Sequence, residues 1–191
     1  MKRAALPLSA LAVLLSLVTA PQAALKKWAI EPSVHEAYYY IDKDAQLHHP
    51  TYGMGRIGFN VFPAFEVEAT FESISTDSKE ERFKNSDWQS DFSGLRFLGT
   101  FRATEDEKVY PYIVAGLGKV KTTFDSGIAG DPELKDNAVY DEIGFGARVF
   151  VWKQLNIRPE FSLHHYRTLG QTQTNARYSV GISYFFLGSK K

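Results

Sequence analysis

The most constraining feature of the sequence is an alternation of residue types near its end, in the stretch RYSVGISYFF from Arg177 to Phe186. Every second residue is apolar or aromatic, and the residues between are mostly small. A repeat of two places these sets on opposite faces of a β-strand, whereas a helix has a period of 3.6. We therefore predict a strand with one apolar face. That face holds Tyr178, Val180, Ile182, Tyr184 and Phe186, and the other holds Ser179, Gly181, Ser183 and Phe185.

The N-terminal segment, residues 1–24, has the organisation of a secretory signal peptide. Two basic residues precede an apolar run from Ala4 to Val18, and the small residues of VTAPQAA follow. The run is too short to stay in the membrane as a stop-transfer helix, although a retained anchor is the alternative. We expect cleavage after Ala23 or Ala24, which leaves one domain over residues 25–191.

Composition narrows the choice of architecture. The 191 residues include 22 basic and 22 acidic residues, and loss of the signal peptide leaves 20 against 22, so no nucleic-acid partner is indicated. The absence of cysteine suits an exported protein held by a closed hydrogen-bond ladder. No later segment has about 18 consecutive apolar residues, the length that a helical span requires. If the mature chain enters a membrane, it must do so as a closed β-barrel.

Seven further segments are predicted as strands, which makes the chain all-β. Tight turns at Pro63, Thr104 and Lys153 alternate with longer connections, as is typical of outer-membrane barrels, for which eight strands is the smallest usual number. We therefore predict an eight-stranded antiparallel up-and-down transmembrane β-barrel. The strands span about 30–41, 54–62, 65–75, 88–102, 109–124, 140–151, 155–166 and 177–186, and the long loops about 42–52, 76–87, 125–139 and 168–174. The fifth strand is apolar on both faces, so the sequence does not show which of its residues point inward.

Alternation alone does not decide which face points inward. A soluble periplasmic barrel that binds a ligand, built like a lipocalin, would hold the apolar face inside, and it is the alternative. The signal peptide, the even strand number and the alternating loop lengths favour lipid outside. Aromatic residues near strand ends fit belts at the two membrane interfaces. The candidates are Phe62, Phe65, Phe101, Tyr110, Trp152, Tyr178 and Phe186.

Four patterned segments carry a family resemblance: FEVEATF after a tight turn, VYPYIVAGLGKV, YDEIGFGARVFVWKQLNIRPEFSLHHY and YSVGISYFF. From about Ala29 to Phe186 the chain resembles the OmpA-like outer-membrane β-barrel domain family. The resemblance implies a porin-like monomer in the Gram-negative cell envelope, surrounded by outer-membrane lipid and delivered by periplasmic chaperones and the barrel-assembly machinery. The chain departs from the family in two ways. The peptidoglycan-binding domain of larger members is missing, and the tail LGSKK displaces the last aromatic residue from the C-terminus.

An apolar face turned to lipid leaves charged residues in the lumen. An unpaired ion there would be costly, so we predict interlocked Arg and Glu pairs. An eight-stranded interior is only about wide enough to be filled by side chains, so we expect a plugged lumen. A narrow channel for ions or small solutes, gated by these pairs, is the alternative. The predicted lumen charge network is Glu36, Arg56, Glu66, Glu68, Arg96, Arg148, Arg158 and Glu160.

Nothing in the sequence indicates a catalytic, metal or cofactor site. The run 164–166, HHY, lacks the serine that a barrel deacylase would place at its third position, and no serine or cysteine pairs with a base. His48 and His49 lack closed metal-ligand spacing and are interpreted as part of a solvated loop. Gly116 and Gly118 precede no helix, so they fit a crowded barrel interior better than a nucleotide site. We expect a non-enzymatic protein with a structural or surface-interaction role through its extracellular loops.

Overall fold

A computed structural model of the chain describes residues 27–41, 47–78, 86–101, 108–128 and 130–186. Each of its eight strands is hydrogen-bonded antiparallel to the next, and the last pairs with the first, so the sheet is a closed barrel. The predicted fold class is confirmed. The strands are β1 (Ile30–Tyr40), β2 (Thr51–Phe62), β3 (Phe65–Thr76), β4 (Asp87–Thr100), β5 (Val109–Asp125), β6 (Leu134–Trp152), β7 (Leu155–Thr168) and β8 (Gln171–Tyr184).

Two sequence predictions fall on parts of the chain outside the described residues. They are the signal peptide at 1–24 and the tail that follows Phe186. Among the described residues, no helix is long and apolar enough to cross a membrane.

The exterior of the barrel is apolar and its interior is polar. Val34, Ile143 and Phe145 on the outer face are each more than 60% exposed, whereas most buried residues that face inward are polar or charged. A soluble barrel would have the opposite arrangement, so that alternative is contradicted. We call the outward-facing apolar residues the apolar band. On the side away from the short turns, the apolar band ends at polar residues that also face outward. Examples are Asp91, Lys119 and Asp141.

The first and last described residues, Lys27 and Phe186, and the short turns lie at one end of the barrel, here called the turn end. The turn at 63–64 joins β2 to β3, and the turn at 153–154 joins β6 to β7. Lys153 takes a positive φ of 38° there. The third predicted turn, at Thr104, lies outside the described residues. Exposed aromatic residues gather at this end, as expected for an interfacial belt. They are Trp28, Phe62, Phe101, Trp152 and Phe186.

Two of the four long loops are shorter than predicted. β5 continues to Asp125 and β6 begins at Leu134, so most of the region assigned to a loop over 125–139 belongs to one long hairpin. The connection predicted over 168–174 is a turn of two residues, Leu169 and Gly170. Both have positive φ, 47° and 81°, which is the backbone of a tight hairpin turn that follows the twist of its strands.

The β7–β8 turn is fixed by a carboxylate from β6. The Leu169 amide donates to Oδ2 of Asp136 at 2.6 Å, and the Thr168 hydroxyl donates to the same oxygen at 3.1 Å. Asp136 lies in the part of β6 that extends beyond the apolar band. Both hydrogen bonds favour the ionised form of Asp136 and so hold its pKa below the usual value. The bond from the Leu169 amide has the larger effect, and the bond from Thr168 follows.

Tyr110 does not belong to the aromatic belt. Its ring is fully buried inside the turn end, where it packs edge to face on Phe150 with ring centroids 5.3 Å apart. Phe150 in turn stacks on Phe185, and Ala29 completes the cluster. The prediction that Tyr110 faces outward was wrong. Near its start β5 is apolar on both faces, so residue polarity does not show which side faces the lumen.

Candidate functional site in the barrel lumen

The structure places seven of the eight predicted network residues in the lumen, each at most 6% exposed. Glu36 is the exception. The alternate residues of β1 that face inward are Glu31, Ser33, His35, Ala37 and Tyr39, so Glu36 points outward into the apolar band. The prediction followed polarity, but β1 reverses the usual pattern here: it turns an apolar Ala and Tyr toward the lumen and a carboxylate toward lipid.

Four lumen charges were missing from the predicted network: Glu31, Glu72, Glu142 and Arg177. Glu72 and Glu142 have the same parity as the predicted residues of β3 and β6, so strict extension of the alternation would have found them. Arg177 lies on the small-residue face of β8, and Glu31 lies on β1, whose phase was misassigned. Within the described residues the lumen therefore holds six glutamates and five arginines.

Glu160 is the centre of the network. Its carboxylate accepts two hydrogen bonds from Arg56, at 3.0 and 3.1 Å. Arg96 donates to it at 2.7 Å and Arg177 at 3.2 Å. The hydroxyl of Tyr112 adds a further hydrogen bond at 2.9 Å. Three guanidinium groups from three different strands thus converge on one carboxylate, and such charge-assisted bonds are the strongest class in proteins.

Glu68 ties the centre of the lumen to a second arginine layer. Arg158 donates to it at 2.8 Å, and Arg96 also contacts it. The guanidinium carbons of Arg148 and Arg158 lie 5.0 and 5.4 Å from the centroid of the Tyr112 ring. Cation–π contact with one ring holds the two cations close together, and both also lie within ion-pair distance of Glu31.

Toward the turn end, Arg148 is held by Glu31 and Glu66. It donates to Glu31 at 3.0 Å and to Glu66 at 2.7 Å. Glu31 also accepts from Asn156 at 3.3 Å and from the hydroxyl of Ser183. Strands β1, β3, β6, β7 and β8 are joined across the lumen in this way.

Toward the opposite end, which carries the longer connections and is called the loop end, Arg177 is the bridging cation. It donates to Glu72 at 2.7 Å and also contacts Glu142. The Tyr52 hydroxyl donates to Glu72 at 2.7 Å. His164 lies 3.7 Å from Glu142 and 3.3 Å from the hydroxyl of Tyr39. The ion pairs end here against aromatic rings.

An apolar cluster closes each end of the charged lumen. At the turn end it is the cluster of Tyr110, Phe150, Phe185 and Ala29. At the loop end, Phe92 lies at the centre of an aromatic cluster, with three ring centroids within 5.7 Å of its own. We call these the turn-end cap and the loop-end cap. The buried members of the loop-end cap are Ala37, Tyr39, Ile41, Leu47, Tyr52, Met54, Ile74, Phe92, Val120, Tyr140 and Tyr166.

Glycines make room for this filling. A Cβ on Gly118 would lie 2.3 Å from the Ser93 carbonyl oxygen and 2.6 Å from Cα of Gly94. A Cβ on Gly116 would lie 3.2 Å from side-chain atoms of Arg96 and of Glu142. The AGLGK segment thus serves close packing inside the barrel.

Two further histidines, His49 and His165, lie away from the lumen charges. His49 accepts a hydrogen bond from the Ile41 amide at 3.2 Å and stacks on Tyr40. His165 faces outward and lies 2.9 Å from the hydroxyl oxygen of Thr174. Among the described residues, no group of three or more His, Cys, Asp or Glu side chains is arranged to hold a metal ion.

A closed antiparallel barrel with an apolar exterior and a filled, charged interior defines a small transmembrane β-barrel protein. Residues 9–186 match the family model described as the outer membrane protein beta-barrel domain. The chain belongs to this family, and membership implies that it is a membrane protein. No protein with a curated description is recognisably similar in sequence.

Solved outer-membrane barrels share the fold. The N-terminal β-barrel domain of Pseudomonas aeruginosa OprF has a TM-score of 0.56 at 15% identity, over 83% of this chain and 99% of that domain. Neisserial surface protein A has a TM-score of 0.59 at 12% identity, over 83% and 97%. Ail, the attachment invasion locus protein of Yersinia pestis, has a TM-score of 0.58 at 16% identity, over 84% and 99%.

Proposed function

We propose that this protein is a non-conducting, non-enzymatic outer-membrane barrel whose role is structural or is exerted at the cell surface through its loop end. The observation that supports the proposal is the filled lumen, in which a charged network crosses the barrel between two apolar caps. A path for ions would require a continuous polar route, and the caps replace water with packed rings at both ends. The competing function is a narrow channel in which the same charges act as a gate.

The part of the barrel best placed for a surface contact is the β5–β6 hairpin. These are the longest strands of the barrel, at 17 and 19 residues. Their outer part carries exposed apolar side chains beyond the apolar band, at Ile128, Leu134 and Val139, and Val139 is 69% exposed. Exposed apolar side chains at the loop end of a barrel are candidates for protein contacts. Ail, which shares the fold, is by its name an attachment protein.

The surface role is tested with intact cells that display the protein. Binding of the cells to immobilised serum and cell-surface proteins is compared between wild type and a variant in which Ile128, Leu134 and Val139 are replaced by Thr. We expect binding by wild type and at least a tenfold loss in the variant. Lys135→Gln, which removes only a solvent-exposed ion pair with Glu133, is the control and should bind normally. Equal binding by wild type and the triple variant, or by cells that lack the protein, would contradict the proposal.

A further inference from the structure

Glu36 is a carboxylate that faces lipid. On the outer face of β1 it lies between Val34, which is 68% exposed, and Tyr38, which is 41% exposed. Its paired neighbours are Gly53 on β2 and Val180 on β8. Tyrosine prefers the membrane interface, and Glu36 lies two residues, or about 7 Å along the strand, to the membrane side of Tyr38. The carboxylate therefore lies inside the apolar band.

A charge in this position is costly unless it has a partner. The carboxylate of Glu36 makes no hydrogen bond or ion pair with the described part of the chain. The lumen charges cannot compensate it, because they lie on the other face of the sheet. An ionisable residue that a barrel keeps in its lipid-facing surface is a candidate binding site.

Glu36 stands at one end of a furrow in the outer surface. Above the furrow runs an aromatic ridge across four strands, in which Tyr38 pairs with Tyr178, Tyr178 with Phe161 and Phe161 with Phe145. The Tyr178 and Phe161 ring centroids are 5.0 Å apart, and those of Phe161 and Phe145 are 5.4 Å apart.

Below the furrow runs a second ridge of branched side chains. Val34 pairs with Ile182, Ile182 with Ile157 and Ile157 with Val149. Between the ridges lie smaller or compact side chains, Val180, Pro159 and Ala147, which line the floor with Glu36 at one end. The cavity lined by Glu36, the aromatic ridge and this floor has a volume of about 680 Å³, within the roughly 300–1,000 Å³ of small-molecule sites. The second ridge follows the next row of paired residues and does not line the cavity.

The furrow slopes through the membrane because barrel strands are tilted by about 35–45°. Glu36 lies six residues from the turn end of β1, whereas Pro159 lies only four from the turn end of β7. The Glu36 end is therefore nearer the cell surface, and the apolar end is deeper. An amphiphile of the outer leaflet has the same order, with its polar part outside and its chain inside.

We propose that this furrow binds one lipid acyl chain, with a hydrogen-bond donor at the junction of head and chain, a hydroxyl, amide or ammonium group, placed on Glu36. The chain packs on the floor and against the aromatic ridge, and the donor supplies the partner that the carboxylate lacks. The site does not depend on the proposed surface role, because it lies in the membrane and not at the loop end. It is also separate from the lumen network, which lies on the other side of the barrel wall.

A second copy of the protein fits the furrow less well. A symmetric dimer in a membrane has its axis along the membrane normal, so each residue meets partner residues at its own depth. The described outward residues of the apolar band include no Lys or Arg, and Lys119 lies beyond the band. A second copy therefore brings no cation to the depth of Glu36.

The test uses the refolded barrel in phosphatidylcholine vesicles with three nitroxide-labelled long-chain probes, an alkylammonium, a primary alcohol and a methyl ester. Electron paramagnetic resonance gives the fraction of each probe that the protein immobilises. Charge-assisted hydrogen bonds away from water support about a tenfold preference of wild type for the ammonium over the ester, with the alcohol between them. Glu36→Ala should remove the preference for both donors.

Two further variants separate a furrow from a mere surface charge. Val180→Trp fills the furrow and leaves Glu36 in place, and Ala147→Leu does so more gently if the larger change impairs folding. Either should remove the preference in a barrel that keeps its heat-dependent gel shift. Asp141→Asn, an outward carboxylate outside the furrow, is the control and should behave as wild type. Equal retention of the three probes by wild type, or an undiminished preference in folded Val180→Trp and Ala147→Leu, would overturn the proposal.

Discussion

Most buried charges in the lumen are neutralised by several partners, so the stability of the lumen does not depend on any one ion pair. Each buried guanidinium meets at least one carboxylate, and the two carboxylates with most partners, Glu160 and Glu68, bind several arginines at once. Burial of a single charge costs several kcal/mol, so the set is stable only as a whole. Removal of one member leaves its neighbours buried with less compensating charge.

Glu160→Ala should therefore destabilise the barrel by about 3–5 kcal/mol, the usual cost of breaking a buried ion pair by removing one partner. The three guanidiniums of Arg56, Arg96 and Arg177 would lose a shared acceptor. Guanidinium-induced unfolding of the refolded barrel, followed by the gel shift, measures the effect. The matched control is Glu133→Gln, whose exposed pair with Lys135 should be worth less than about 1 kcal/mol. Equal midpoints for Glu160→Ala and wild type would show that the network is not held through Glu160.

The alternation of the sequence indicates an inward-facing position most clearly where a charged residue stands between apolar ones. Arg56, Arg96 and Arg148 each stand between apolar residues on their strands, so their parity is unambiguous. Glu36 could not be placed in the same way. Where β1 enters the loop-end cap its inward residues become apolar, Ala37 and Tyr39, and the contrast between the faces disappears.

Among the strands, β5 also has apolar residues on both faces where it enters a cap. The sequence therefore did not show which of its residues face the lumen. Its inward residues at the turn end, Tyr110 and Tyr112, are as apolar as the outward Val109 and Ile113, because the strand starts in the turn-end cap. Loop lengths were misjudged for another reason. Stretches with polar residues, such as Lys135 to Asn137, resemble loops in composition, but they pair as strands once a long neighbour such as β5 offers hydrogen bonds.

The β7–β8 turn should show a pH dependence that is set by Asp136. Because the pKa of Asp136 is lowered in the folded protein, its stabilisation of the turn is complete above the ordinary aspartate value of 3.8 and is lost as the pH falls through the lowered pKa. The NMR shift of the Leu169 amide, which donates to Asp136, should titrate with a midpoint below 3.8. Asp136→Asn is the control and should abolish the titration. A midpoint at or above the ordinary value in wild type would show that the bond does not favour the ionised form.

At the scale of the whole molecule, the barrel is an inside-out protein with three interior layers: two apolar caps and a charged layer between them. The closed ladder of eight strands satisfies the backbone without water, as a membrane demands. Eight strands enclose just enough space for side chains, so a small barrel is more easily filled than opened. The fold, the strand number and the apolar exterior were all predictable from periodicity. The caps were not, because aromatic residues look alike on either face.

The central claim is that the lumen does not conduct, and single-channel recording tests it most directly. The refolded mature protein, shown by its heat-dependent gel shift to be a closed barrel, is inserted into a planar bilayer. We expect no channel openings from the wild-type protein, and none from Arg148→Ala and Arg158→Ala, because both caps remain. Discrete, reproducible openings of the wild-type protein that change in these variants would show that the lumen conducts and that the arginine and glutamate network is a gate.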